Sequence, residues 1–81
     1  MAGARGCPIW DYDGNEWLDF SSQLVNTNIG HQHPDVVAAI KAQADVLCTI
    51  APSAANDQRG MLARRLSALS GLQKVFFTSG G

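Results

Sequence analysis

The chain has 81 residues, of which 46% are hydrophobic and 16% charged, and its formal net charge is -1 at pH 7. This composition is typical of a globular protein, excludes a disordered or fibrous chain, and offers no basic surface for nucleic acid. The two widely spaced cysteines indicate neither a zinc site nor a disulfide scaffold, and there is no signal peptide or apolar stretch for a membrane helix, so we expect a reduced, cytoplasmic protein without a membrane partner.

The first predicted element is a β-hairpin in the segment PIWDYDGNEWLDF. Two short runs of aromatic and aliphatic residues, at 9–12 and 16–20, flank the sequence Asp13-Gly14-Asn15. Gly14 and Asn15 tolerate the positive φ that tight hairpin turns require. Two strands alone are marginally stable, so we expect this ribbon to lie against a larger body.

Four carboxylates surround the predicted hairpin: Asp11, Asp13, Glu16 and Asp19. Two of them could form an acid/base pair. Turn and edge positions also favour such residues, and this second explanation predicts structural carboxylates in contact with solvent.

The segment SSQLVNTNIGHQHP, residues 21–34, is rich in Asn, Ser and Gly and predicts a loop. His31 and His33 invite a metal interpretation, but two imidazoles without cysteines or a carboxylate cluster are too few for a closed zinc site. We therefore expect no metal. The pattern favours a histidine that supports the turn or the helix start by hydrogen bonding, with Gly30 allowing the bend.

The next predicted element is a helix that begins at Pro34, which fits the first helical position because its missing N–H is not needed there. Asp35 complements the positive end of the helix dipole. Apolar residues then recur at helical spacing: Val36, Val37, Ile40, Ala44 and Leu47.

A second helix is predicted after Pro52, which disfavours helical geometry at the residue before it. Either Asn56 or Asp57 can cap its N-terminus, and Gly71 is suited to end it. Its apolar face carries Met61, Leu62, Leu66 and Leu69.

The last predicted element is a strand, because Val75-Phe76-Phe77 is a continuous apolar run of the type covered on both faces. The hairpin and the helices cannot supply its parallel neighbours, so we expect those neighbours beyond residue 81 and a truncated chain. Thr78-Ser79-Gly80-Gly81 follows the strand, and such a loop can aim backbone N–H groups at an anion.

Residues alone leave other interpretations of this loop open. Neither G-x-G-x-x-G nor G-x-x-x-x-G-K-[ST] is present, so a plain flexible turn remains an alternative. A nucleophilic role for Ser79 is disfavoured, because the G-x-S-x-G pattern requires glycine where Phe77 stands.

Taken together, the segments IWDYDGNEWLDF, NIGHQHPDVVAAIKAQ and RRLSALSGLQKVFFTSGG resemble the N-terminal part of class III pyridoxal-phosphate-dependent aminotransferases, the ω-amino acid and ornithine-type group. The resemblance implies an α/β protein of fold type I, here represented by a β-hairpin, two helices and the first strand of the large-domain sheet. Residues 1–52 would belong to the small domain. Residues 53–81 would begin the large cofactor-binding domain.

The resemblance also implies a chemistry. The full-length enzyme would move an amino group from an amine or ω-amino acid to a 2-oxo acid with pyridoxal 5'-phosphate, as a homodimer. Ser79, Gly80 and Gly81 would bind the cofactor phosphate, and Val25, next to Leu24, would line the substrate pocket. Lys41 and Lys74 lack the desolvated setting of a Schiff-base lysine, so we expect no catalytic residue here and no activity from the chain alone.

Two further hypotheses stay open at this point. One is a related chemistry on the same scaffold, namely an aminomutase or a decarboxylase. The other is a self-standing module that binds an anion or a partner without catalysis.

Overall fold

The computed structural model describes residues 1–80 of the chain, which divide into two compact units, Met1–Cys48 and the residues from Thr49 onward. The elements in chain order are β1 Gly3–Ala4, β2 Pro8–Trp10, β3 Glu16–Leu18, α1 Ser22–Val25, α2 Pro34–Ala44 and α3 Asp57–Ser70. Within residues 1–80, no helix is both long and apolar enough to span a bilayer.

The predicted hairpin is confirmed as β2 and β3, which pair antiparallel with Ile9 opposite Trp17. Its strands are shorter than predicted. The turn is held by Asp11, whose Oδ1 accepts hydrogen bonds from the backbone N–H groups of Asp13 at 2.9 Å and Asn15 at 3.0 Å. Gly14 has φ +85°, as the turn prediction requires.

A strand that the sequence did not predict, β1, pairs antiparallel with β2 and completes a three-stranded sheet. Gly3 lies opposite Trp10. A Cβ added at Gly3 would lie 2.6 Å from Cζ2 of the Trp10 ring, so glycine leaves the space that the indole occupies.

The predicted loop at residues 21–34 contains the short helical turn α1, and Gln32 further along it also has positive φ, at +55°. Four consecutive non-glycine residues have positive φ in α1, at +51° for Ser22, +49° for Gln23, +61° for Leu24 and +67° for Val25. The turn is therefore left-handed, a conformation that costs about 1–2 kcal/mol for each L-residue.

Both predicted long helices are confirmed, although α2 ends at Ala44 and does not include Leu47 of its predicted apolar face. The start of α2 and both ends of α3 follow the sequence signals. Pro34 opens α2, and the His33 side chain accepts a hydrogen bond from the Asp35 N–H. Asn56 caps α3 by accepting from the Arg59 N–H at 3.0 Å. Gly71 ends α3 in the left-handed conformation at φ +74°.

The predicted strand at Val75-Phe76-Phe77 is not assigned to any sheet within residues 1–80. A strand is stabilised by hydrogen bonds to a neighbouring strand, and no such neighbour exists among the described residues. The segment is covered only in part, since Phe76 is 89% exposed and Phe77 is 39% exposed. No side chain of residues 1–80 belongs to a fully buried core.

Candidate functional site

The loop after α3 carries the residues predicted to bind the cofactor phosphate. Thr78 donates a hydrogen bond from Oγ1 to the carbonyl oxygen of Gly80 at 2.8 Å, and the backbone bends at Ser79. All three residues are exposed. The fourth residue of the motif, Gly81, lies outside the described residues.

The same loop has the donors that an anion needs. Within residues 1–80, the backbone N–H groups of Ser79 and Gly80 have no hydrogen-bond partner, and neither has the Ser79 hydroxyl. A Cβ added at Gly80 would meet nothing within 4 Å, so the space beside its backbone is open. Two amides, one hydroxyl and an open approach fit a phosphate group chemically.

Val25, the predicted substrate-pocket residue, is the last residue of the left-handed turn α1. Its side chain is 74% exposed, and that of the preceding Leu24 is 91% exposed. The turn is closed by hydrogen bonds from the Val25 N–H to the Ser21 carbonyl at 3.1 Å and from the Asn26 N–H to the Ser22 carbonyl at 2.9 Å. Val25 and Ser79 belong to different units.

Next to this turn lies a contact that the sequence did not predict. Nε2 of His31 lies 2.6 Å from Oδ2 of Asp19, and the Asp19 side chain is only 3% exposed. The expectation of a solvated carboxylate is therefore wrong for Asp19. The reason is tertiary: His31 returns to the end of the hairpin across a separation of twelve residues and covers the carboxylate.

Asp19 is the centre of a small hydrogen-bonded cluster. Its carboxylate accepts hydrogen bonds from the Ser21 hydroxyl at 3.0 Å and from the Gln23 side-chain amide at 3.3 Å, in addition to the His31 contact. The His31 hydrogen bond is the main cause that lowers the pKa of Asp19 to about 2, with smaller contributions from Gln23 and Ser21, while burial opposes them.

The two histidines have separate structural roles, which confirms the expectation that a histidine supports the turn or the helix start. His33 Nδ1 accepts a hydrogen bond from the Asp35 N–H at 3.3 Å, at the start of α2. The backbone of His31 forms an antiparallel bridge with Gly6, with hydrogen bonds of 2.8 and 2.9 Å. No local sequence pattern links Asp19 to His31. The one signal available in the sequence was that a carboxylate and an imidazole can form a hydrogen bond.

Comparison with known proteins gives consistent results. The family model described as "Aminotransferase class-III" matches residues 1–81. Acetylornithine aminotransferase of Myxococcus xanthus is 38% identical over 81 residues, which is all of this chain and 20% of that protein. The acetylornithine aminotransferase of Methanocaldococcus jannaschii is 39% identical, again over the whole chain and 20% of the relative.

Two solved structures are also similar. The taurine:2-oxoglutarate aminotransferase of Bifidobacterium kashiwanohense, in complex with PLP and glutamate, has a TM-score of 0.93 and 45% identity over 98% of this chain and 18% of that one. The ornithine aminotransferase of Toxoplasma gondii, with partial occupancy of PLP at its active site, has a TM-score of 0.82 and 32% identity over 89% of this chain and 17% of that one.

The chain thus spans about a fifth of the length of the relatives it matches. The family model covers every residue, and the structural agreement extends over nearly the whole chain. This chain belongs to the class III aminotransferase family.

Proposed function

We propose that this chain supplies the N-terminal part of a pyridoxal-phosphate-dependent aminotransferase, which moves an amino group from an amine or ω-amino acid to a 2-oxo acid. The observation that carries the proposal is the TM-score of 0.93 to a transaminase in complex with PLP and glutamate, at 45% identity. The compounds named in the relatives, acetylornithine, ornithine and taurine, share a primary amine that is separated by at least two carbons from a carboxylate or sulfonate.

In this proposal Ser79, Gly80 and Gly81 bind the phosphate of the cofactor. Support comes from the two backbone N–H groups and the hydroxyl at residues 79 and 80, which lack partners among the described residues. Glycine at position 80 lets a phosphate oxygen approach the backbone, since no Cβ intervenes. When bound, pyridoxal phosphate serves as the electron sink for amino transfer, and the protein orients it.

Val25 contributes to the pocket for the amino donor, together with Leu24. Both side chains are aliphatic and exposed on the left-handed turn, so they would contact the carbon chain of a donor and leave its charged ends to other groups. A valine also leaves more room than an aromatic side chain at this position.

The same proposal includes a division of the chain between two domains. Residues 1–52 would form part of the small domain, and residues 53–81 would begin the large domain of a fold-type-I enzyme. The exposed apolar side chains of α3 and of residues 72–77 would then be covered by the remainder of that domain. We further propose that the enzyme is a cytoplasmic homodimer.

The 81-residue chain by itself should be inactive. Lys41 and Lys74 are both exposed, and a lysine that forms a Schiff base needs a lowered pKa, which desolvation or a nearby cation supplies. We therefore place the catalytic lysine outside this chain.

The test uses the full-length protein encoded by the reading frame that contains this chain, called the intact enzyme below. Purified intact enzyme with pyridoxal phosphate, 2-oxoglutarate and a series of ω-amino acids and amines should form glutamate. Failure to transfer nitrogen from any donor would contradict the proposal, and isomerisation or release of carbon dioxide without transfer would instead identify an aminomutase or a decarboxylase. The 81-residue chain serves as the control and should not exceed the background of free pyridoxal phosphate.

A further inference from the structure

The left-handed turn α1 requires an explanation, because four consecutive non-glycine residues adopt a backbone conformation that each of them disfavours. Their φ values lie between +49° and +67°. Such a conformation persists only where surrounding contacts determine it, and strained segments of this kind cluster at functional sites. The contacts that hold α1 therefore indicate which residues support its function.

The Asp19 carboxylate provides contacts on both sides of the start of the turn. It accepts from Ser21, which immediately precedes α1, and from Gln23, the second residue of α1. On the far side of the turn, the Ser22 and Thr27 hydroxyl oxygens lie 3.0 Å apart in a further hydrogen bond. These side-chain contacts restrict the backbone on each side of Leu24 and Val25.

His31 fixes the other end of the same loop. Its ring contacts Asp19, and its backbone N–H and carbonyl group exchange hydrogen bonds with Gly6. The Asp19 backbone is also held, since its N–H donates to the Cys7 carbonyl oxygen at 2.9 Å. The loop from residue 19 to residue 31 is thus closed at its base and strained at α1.

The turn presents two side chains that are largely free of contacts, as is that of Phe20 just before it, which is 93% exposed. Leu24 is 91% exposed and Val25 is 74% exposed, whereas the polar residues around them are engaged in the cluster. The strained backbone presents two aliphatic side chains at a fixed position. This arrangement is consistent with a pocket surface that must be placed accurately to contact a ligand.

We propose that Asp19 and His31 are positioning residues, which hold the left-handed turn so that Leu24 and Val25 select the amino donor by the length of its carbon chain. This inference rests on the proposed function, because it assigns the specificity of that same site. Neither Asp19 nor His31 contacts the donor. Their effect is transmitted through Gln23 and the backbone of α1.

The experiment compares the intact enzyme with its D19N and H31Q variants, using a short and a long ω-amino acid as donors and one 2-oxo acid as acceptor. Loss of the Asp19–His31 contact should raise KM for the preferred donor about tenfold, with kcat changed less than about twofold. The reason is that a displaced pocket surface weakens donor binding more than it slows the chemical step. The ratio of kcat/KM between the two donors should fall toward one. The double variant should shift the donor ratio by less than the two single variants combined, because both single variants lose the Asp19–His31 contact.

The matched control is D13N, which removes a carboxylate from the exposed hairpin turn and should leave the donor ratio unchanged. A second variant, Gln23→Ala, keeps the Asp19–His31 contact and should shift the donor ratio in the same direction by a smaller factor. It decides the matter if D19N and H31Q do not fold.

Three results would overturn the inference. One is a D19N enzyme with an unchanged donor ratio, another is a parallel loss of kcat and cofactor affinity at a constant ratio, and the third is a Gln23→Ala enzyme with the wild-type ratio. Transamination by the wild-type intact enzyme separates these outcomes from failure of the proposed function. Absence of any transamination would refute both.

Discussion

The side chains of Asp19 and His31 are in contact at 2.6 Å, although the two residues are twelve positions apart in the chain. The contact connects the end of the hairpin to the end of the loop that carries α1. The Asp19 side chain is 3% exposed and that of His31 is 15% exposed, so neighbouring groups cover most of this contact. This pair therefore organises the loop more directly than any local turn signal.

The contact predicts how stability depends on pH. The pKa of Asp19 is lowered from 3.8 to about 2 in the folded state, mainly by the His31 hydrogen bond. The ionised carboxylate therefore stabilises the fold fully above its unfolded-state pKa, and this stabilisation is lost as pH falls through the folded-state pKa. The free energy of unfolding of the intact enzyme, measured in urea, should exceed that of D19N above pH about 4, and the difference should shrink between pH about 4 and about 2. A difference that grows on acidification would contradict this assignment.

The left-handed turn makes a prediction about glycine. At Leu24, glycine should be more stable than alanine by about 1 kcal/mol, because glycine adopts positive φ without the steric cost that alanine keeps. Amide hydrogen exchange at Val25 and Asn26, whose N–H groups close the turn, should be about fivefold slower in Leu24→Gly than in Leu24→Ala.

The control for this comparison lies in α2, where φ has the ordinary helical sign. Ala39→Gly should there increase local exchange, since glycine costs about 1 kcal/mol relative to alanine inside a helix. If glycine gave faster exchange than alanine at position 24 as well as at position 39, α1 would not be left-handed.

Gly30 and Gly6 form a matched pair for a separate test. Both have positive φ, at +86° and +61°, but a Cβ at Gly30 would lie 3.2 Å from the Gly6 Cα, whereas a Cβ at Gly6 would meet nothing within 4 Å. Alanine should cost about 1 kcal/mol at Gly6 from backbone strain alone and more at Gly30, where the contact adds to it. Urea unfolding of the two variants measures this order, and an equal loss would refute the close approach.

The cap of α3 gives the simplest prediction. Asn56→Ala should raise hydrogen exchange in the first turn of α3 about fivefold, since loss of an N-cap costs about 1 kcal/mol. Asn56→Asp retains an acceptor oxygen for the Arg59 N–H and should preserve protection. Equal protection in the alanine variant would mean that Asn56 is not the effective cap.

The sequence was sufficient where a local signal determines the structure. Gly14 marks the hairpin turn, Pro34 the start of α2 and Gly71 the end of α3, and each acts through its own backbone or its immediate neighbours. For the cap of α3 the sequence left Asn56 and Asp57 as alternatives, and the structure has Asn56. Such signals are readable from a single chain because the interactions span only a few residues.

The sequence alone did not predict the local conformation where contacts between distant residues determine it. No propensity predicts a left-handed conformation for Leu24, because the contacts that hold α1 converge on Asp19 and His31. Strand β1, with only Gly3 and Ala4, forms because β2 offers it an edge. Phe76 has a strand-like sequence but no strand to pair with among residues 1–80.

We propose above all that residues 79–81 bind the phosphate of pyridoxal phosphate. This proposal is tested most directly by comparing Ser79→Ala with wild type in the intact enzyme, and by measuring the dissociation constants of both pyridoxal phosphate and pyridoxal, which lacks the phosphate. Ser53→Ala, a change at another exposed serine, serves as the control.

Ser79→Ala should weaken pyridoxal phosphate about tenfold, as expected for loss of a hydrogen bond to a charged group, and should leave the affinity for pyridoxal unchanged. Ser53→Ala should change neither affinity. Equal weakening of both compounds by Ser79→Ala, or no weakening of either, would contradict the assignment of this loop to the phosphate.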